Sequence, residues 1–173
     1  MNNIIDKSTG SRLANWKRVS RAVKAGAPHR LISIDTAAAD SDRNCCTVVA
    51  LSNVTGIPFA EAQAIAKAAG RRRNCGFSTV KLIAEARKHG HNFDVTIGAT
   101  GIVNDAYRGE TVSIARFCRE HPVGRFLVRR SGHAFTVING VVEDRFTNRS
   151  LCRITHAWEF KPVVKAAQYA NPY

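Results

Sequence analysis

Apolar residues recur along this chain first at helical and later at alternating intervals. Over residues 11–25, Leu13, Trp16, Val19, Ala22 and Val23 are separated mainly by Arg, Lys and small polar residues, and Gly26 and Pro28 follow. This predicts a basic amphipathic helix whose apolar stripe docks on its own domain or, less commonly, on a partner. Leu31-Ile32-Ser33-Ile34 reads as a short strand. The polar cluster Asp40-Ser41-Asp42-Arg43-Asn44, rich in side chains that cap helices, then gives way to a dense apolar run. A helix is predicted over 45–54, ended by Thr55-Gly56-Ile57-Pro58. Residues 59–69 are strong helix formers closed by Gly70, and so short a connection makes the two helices packing neighbours. After a basic loop over 71–77, Ser78 caps a third predicted helix running to His89, with Val80, Leu82, Ile83 and Ala86 on its inner side.

Beyond Gly90 the period changes. Residues 93–97 alternate as a strand, 98–109 read as a loop, and 111–119 return to helical spacing before His121-Pro122. Three β-branched, apolar segments follow over 124–130, 133–139 and 141–146, and a last strand over 153–160. Asn139-Gly140 is the strongest short hairpin signal a sequence offers. If these two residues form the turn, Ile138 faces Val141 and Asp144 falls opposite Phe135. His133 is then a diagonal neighbour of Asp144 on the same face of the sheet. Helices first and an antiparallel sheet later define an α+β fold.

The length of 173 residues suits one domain. No apolar run approaches the roughly 20 residues of a membrane span, so no membrane partner is expected. The N-terminus lacks the charged-then-apolar order of a secretory signal, which points to a protein retained inside the cell. Five cysteines, none in a C-x-x-C pair, read as reduced thiols, with Cys75, Cys118 and Cys152 as small hydrophobes. With 26 basic and 13 acidic side chains the net charge is +13, which attracts nucleic acid or an acidic protein surface. Arg12, Lys17, Arg18, Arg21 and Lys24 on the first helix and Arg71, Arg72 and Arg73 are the candidate contacts. No aromatic-interleaved RNA-binding pattern accompanies them, and a generally basic, solvated surface is the plainer account. The chain has no internal repeat and no Gly-rich phosphate loop.

A cysteine at the start of a helix meets unpaired N–H groups and the positive end of the helix dipole, and both favour the nucleophilic thiolate. Cys46 is so placed, His133 opens a strand, and Asp144 lies on the paired strand. Thiol catalysis needs those three parts: nucleophile, base, and a group that orients the base. Each alone has a plainer explanation, as a buried cysteine, a surface histidine or a turn carboxylate, so it is their joint arrangement that points to chemistry. Cys45 stays an alternative nucleophile, because consecutive helical residues point about 100° apart and only one faces His133. A metal site on Cys45, Cys46 and a histidine is disfavoured by the poor fit of vicinal thiolates to tetrahedral zinc, and no metal or cofactor is expected.

The run Asn44-Cys45-Cys46-Thr47-Val48-Val49-Ala50-Leu51, then Thr55-Gly56-Ile57-Pro58 with its Ala-rich helix, then Gly132-His133-Ala134 leading to Gly140 and Asp144, resembles the papain-like cysteine peptidase superfamily. Its small bacteriocin-processing and phage-borne members are the nearest in flavour. The resemblance covers about residues 35–160 as an order of elements and is specific only in the Cys and His-to-Asp blocks. It implies a papain-like domain over 31–173 behind a basic extension over 1–30, with the cysteine on a central helix packed against the sheet. It further implies Cys46 as nucleophile, His133 as base and Asp144 as orienting acid, the Cys-Thr-Val-x-Ala-Leu pattern selecting Cys46 over Cys45. Where the family commonly has a Gln six residues before the cysteine, this chain has Asp40, so Asn44 with the Cys46 backbone N–H is the expected oxyanion donor. The implied activity is hydrolysis of a peptide, isopeptide or related amide bond in a peptide or protein substrate, in a bacterial cytoplasm or a virion. A competing expectation, motivated by Asp40 and the charge, keeps the fold without the chemistry, as a basic structural or nucleic-acid-binding component of, for example, a phage particle.

Overall fold

The computed structural model describes residues 29–31, 41–97, 112–145 and 152–162. In chain order its elements are β1 (His29–Leu31), α1 (Cys46–Thr55), α2 (Phe59–Ala68), α3 (Thr79–Lys88), β2 (Asn92–Ile97), α4 (Ile114–Glu120), β3 (Arg125–Arg130), β4 (His133–Ile138), β5 (Val141–Asp144) and β6 (Ile154–Lys161). The predicted helix over 11–25, Asp40, residues 32–34 of the first predicted strand and the loop over 98–109 lie outside the described residues.

The strands form one sheet in the order β1-β5-β4-β3-β6-β2. The five strands from β5 to β2 form four antiparallel pairs, in keeping with the α+β expectation. β1 departs from it by lying parallel to β5, with Leu31 beside Asp144. This strand starts at His29, two residues before the predicted domain boundary. The β4–β5 hairpin has the register expected from its turn, pairing Ile138 with Val141 and Thr136 with Glu143. Asn139 and Gly140 both adopt left-handed backbone, at φ 49° and 74°, as a two-residue turn matched to strand twist requires.

Alternation along the strands divides the core in two. One face presents Phe93, Leu127, Ala134 and Trp158 to α1, α2 and α3. The other presents Phe126, Val128, Phe135, Val137 and Val142 to Ile114, Phe117 and Cys118 of α4. α1 is apolar on almost every side and is buried accordingly, with Val48, Leu51 and Val54 fully enclosed between the sheet and α2.

Two elements differ from expectation in detail. On α3 the buried stripe is Thr79, Leu82, Ile83 and Ala86, whereas Val80 is 51 % exposed because it lies about 100° round the helix from Thr79. α4 starts at Ile114, later than its apolar spacing suggests. Residues 112 and 113 are committed to the sheet instead: the Val112 carbonyl accepts from the Ile154 N–H at 2.8 Å and Ser113 bridges to Arg153. The Ser113 hydroxyl then caps the helix by accepting from the Arg116 N–H at 3.2 Å. Among the described residues no helix is long and apolar enough to cross a membrane.

Candidate active site

Cys46 is the first residue of α1, and Cys45 occupies the cap position without a side-chain cap. The first helical bond runs from the Val49 N–H to the Cys45 carbonyl at 2.9 Å, so the earlier N–H groups of this turn are left without a partner inside the helix. The loop that delivers Cys46 is clamped from below. Asp42, 1 % exposed, receives both terminal nitrogens of Arg71 (Nη1 to Oδ2 2.6 Å, Nη2 to Oδ1 2.9 Å), Gln63 Nε2 at 3.1 Å and the Asn74 N–H at 2.8 Å. The Arg71 hydrogen bonds, chief among these contacts and opposed by burial, hold the Asp42 carboxyl down at about 2. The Arg43 N–H donates to Asn74 Oδ1 at 2.8 Å, and Asn44 Nδ2 donates to the Asn74 carbonyl at 3.2 Å. Asn44 and Asn74 both take positive φ, 62° and 61°, a backbone that Asn tolerates better than most residues.

Two residues singled out from the sequence have partners that the sequence does not show. Arg71, grouped by sequence with a nucleic-acid-binding run, is buried and turned inward onto Asp42, so only Arg72 and Arg73 of that run are exposed. Asn44, expected to hold an oxyanion, borders the cavity beside Cys46 and donates one amide N–H to the Asn74 carbonyl at 3.2 Å. The other five candidate cations, Arg12, Lys17, Arg18, Arg21 and Lys24, lie outside the described residues.

The far end of α1 is pinned as well. Arg125 donates from Nε to the Val54 carbonyl at 2.6 Å and from Nη2 to the Asn53 carbonyl at 2.7 Å, placing a cation at the negative end of the helix. Asn53 Nδ2 reaches across to Thr136 Oγ1 at 2.5 Å and Glu143 Oε2 at 3.1 Å on the hairpin, and Glu143 also pairs with Arg30 of β1. α1 is thereby fixed in register against the strands that carry His133 and Asp144.

His133 Nε2 lies 2.5 Å from Asp144 Oδ2, with the two side chains 13 % and 3 % exposed. Asp144 Oδ1 accepts the Arg145 N–H at 2.7 Å, which fixes the carboxylate plane. With Nε2 engaged, Nδ1 is the imidazole nitrogen left for the Cys46 sulfur, to which His133 is hydrogen-bonded. Burial pulls the His133 pKa down, but the hydrogen bonds to Asp144 and Cys46 and their negative charge more than offset it and raise it to about 9. For Cys46, burial pushes the thiol up, and the His133 hydrogen bond with the N–H groups of Ala134 and Thr47 brings it to a net lowering. A lowered thiol beside a raised imidazole favours the thiolate–imidazolium form.

Cys45 differs in every respect. It is 5 % exposed, burial raises its thiol, and its sulfur sits 3.9 Å from Arg145 Nη1. Of the two cysteines, Cys46 is the one that interacts with His133.

Cys46, His133, Gly132, Asn44, Arg43 and Arg145 border a cavity of about 370 Å³, large enough for part of a ligand. Asp42, Arg71 and Arg145 were not singled out from the sequence as parts of this site. Asp42 and Arg71 are 29 positions apart and Arg145 is 100 positions from Cys45, so no local pattern pairs them. All five cysteines are free, and no group of three or more His, Cys, Asp or Glu among the described residues is placed to hold a metal ion. Compared with known proteins, the chain matches no family model, no curated protein and no solved structure.

Proposed function

We propose that this protein is a papain-like thiol hydrolase that cleaves a peptide, isopeptide or related amide bond through a thioester on Cys46. The observation that carries this is the hydrogen-bonded chain Cys46–His133–Asp144 opening on a cavity. In the proposed reaction the Cys46 thiolate attacks the carbonyl carbon, and the resulting oxyanion is met by the free N–H of Cys46 at the start of α1. The His133 imidazolium gives its Nδ1 proton to the leaving amine as the C–N bond breaks, and the acyl group stays on sulfur. His133, now neutral, takes a proton from water, which attacks the thioester and releases the acid, and the thiolate and imidazolium are restored. Asp144 keeps the ring in the required tautomer throughout.

Timed alkylation with a limiting amount of iodoacetamide, followed by peptide mapping, tests the assignment. Cys46 should be labelled well before Cys45 and Cys118, and the fast phase should vanish in Cys46→Ala. A fast phase that survives this substitution overturns the proposal. The competing assignment, a basic structural or nucleic-acid-binding component, loses Arg71 to the buried pair with Asp42 and retains Arg72 and Arg73.

A further inference from the structure

A second cavity, of about 770 Å³, lies across the Asp42–Arg71 pair from the first: Asp42 borders the Cys46 cavity and Arg71 borders this one. Its α2 wall is Ala60, Gln63, Ala64 and Lys67, spaced three and four apart so that two small residues make a shallow floor between longer polar ones. Arg72 and Arg73 close the other side. Lys67, Arg72 and Arg73 are exposed, and no carboxylate among the described residues is paired with Lys67 or Arg72. Asp42, behind this wall, is paired with Arg71. Three cations thus border a hollow of ligand size; Arg73 donates to the Ser41 carbonyl at 3.0 Å, and Lys67 and Arg72 have no carboxylate partner among the described residues.

We propose that this cavity binds an acidic stretch of polypeptide, and that in the working protein this stretch flanks the bond presented to Cys46. The second clause rests on the hydrolase assignment; the first does not. A peptide suits the cavity better than nucleic acid does. No aromatic side chain among the described residues lines it to stack a base, and duplex recognition inserts a projecting helix or ribbon into a groove and needs no hollow.

The test uses the full chain carrying Cys46→Ala, so that nothing is turned over, titrated by fluorescence anisotropy with a labelled peptide of five Glu-Ala repeats. The acidic peptide should bind about tenfold more tightly than a Gln-Ala peptide of equal length, and added salt should weaken it. Replacing both Lys67 and Arg72 with Ala should cost about fivefold to tenfold in affinity, with the melting curve unchanged because both residues are exposed. Arg72→Glu should shift preference toward a Lys-Ala peptide. Equal binding of the acidic and neutral peptides, or full affinity in the double variant, overturns the proposal. So does a single-stranded oligonucleotide of matched charge that binds more tightly through the same two residues. Loss of fast Cys46 alkylation in the wild-type chain would refute the hydrolase assignment while leaving this binding in place, so the two failures are distinguishable.

Discussion

Cys45 and Cys46 are neighbours in sequence, but one step round the first turn of α1 leaves one sulfur buried beside Arg145 and the other against His133. Alkylation of Cys45→Ala should therefore keep the fast phase that Cys46→Ala loses. The pH dependence follows from the same pair. On the proposed route the reactive form is the thiolate–imidazolium pair, favoured between the lowered thiol pKa and the His133 value of about 9. Turnover by the proposed route should rise as the thiol ionises and fall again as pH passes about 9. Asp144→Asn removes the negative charge that holds His133 up. The alkaline limb should move to lower pH, and kcat/KM should drop by about 10²-fold or more in a pH-rate profile. The contact of His133 with Asp144 and the place of Cys46 at a helix start were legible in the sequence, because a two-residue turn and a helix start are written in adjacent residues. The inward turn of Arg71 was not, since a basic triplet reads as surface until its partner is known.

Among the elements, α1 has the most to position and is held at both ends. Arg71→Met would leave Asp42 as an uncompensated buried acid, with an expected loss of about 3–5 kcal/mol in chemical denaturation. Cys46 alkylation should slow in parallel, because the loop before α1 loses its clamp, and this distinguishes a positioning role from a merely stabilising one. The β4–β5 hairpin sets the other half of the site. At Gly140, with φ at 74°, a Cβ would stand 3.0 Å from the Cys118 carbonyl oxygen and 3.3 Å from the Pro122 Cα. Gly140→Ala should cost at least about 1–2 kcal/mol in thermal or chemical unfolding, from left-handed backbone alone. The hairpin register was legible because the turn length dictates it, whereas the outward position of Val80 and the late start of α4 were set by neighbouring elements.

For the whole molecule, two buried pairs give stability a pH window. Asp42 is depressed from 3.8 to about 2, so its contribution is present above 3.8 and is lost as pH falls through about 2. His133 is raised from 6.5 to about 9, so its contribution is complete below 6.5 and is lost as pH rises through about 9. Melting temperatures measured across pH should fall on both sides of a plateau between about 4 and 6.5. Arg71→Met should flatten the acid side and His133→Gln the alkaline side. What the amino-acid order determined by itself was the local grammar: helical and alternating periods, the Asn139-Gly140 turn, and the placement of Cys46, His133 and Asp144 at the starts and ends of elements. Each is decided by residues within a few positions of one another. Only the tertiary structure decided which cysteine meets His133, that Arg71 is buried on Asp42, and that β1 joins the sheet in parallel beside Asp144. These depend on which surfaces meet across tens of residues, where burial and pairing override what any short stretch prefers.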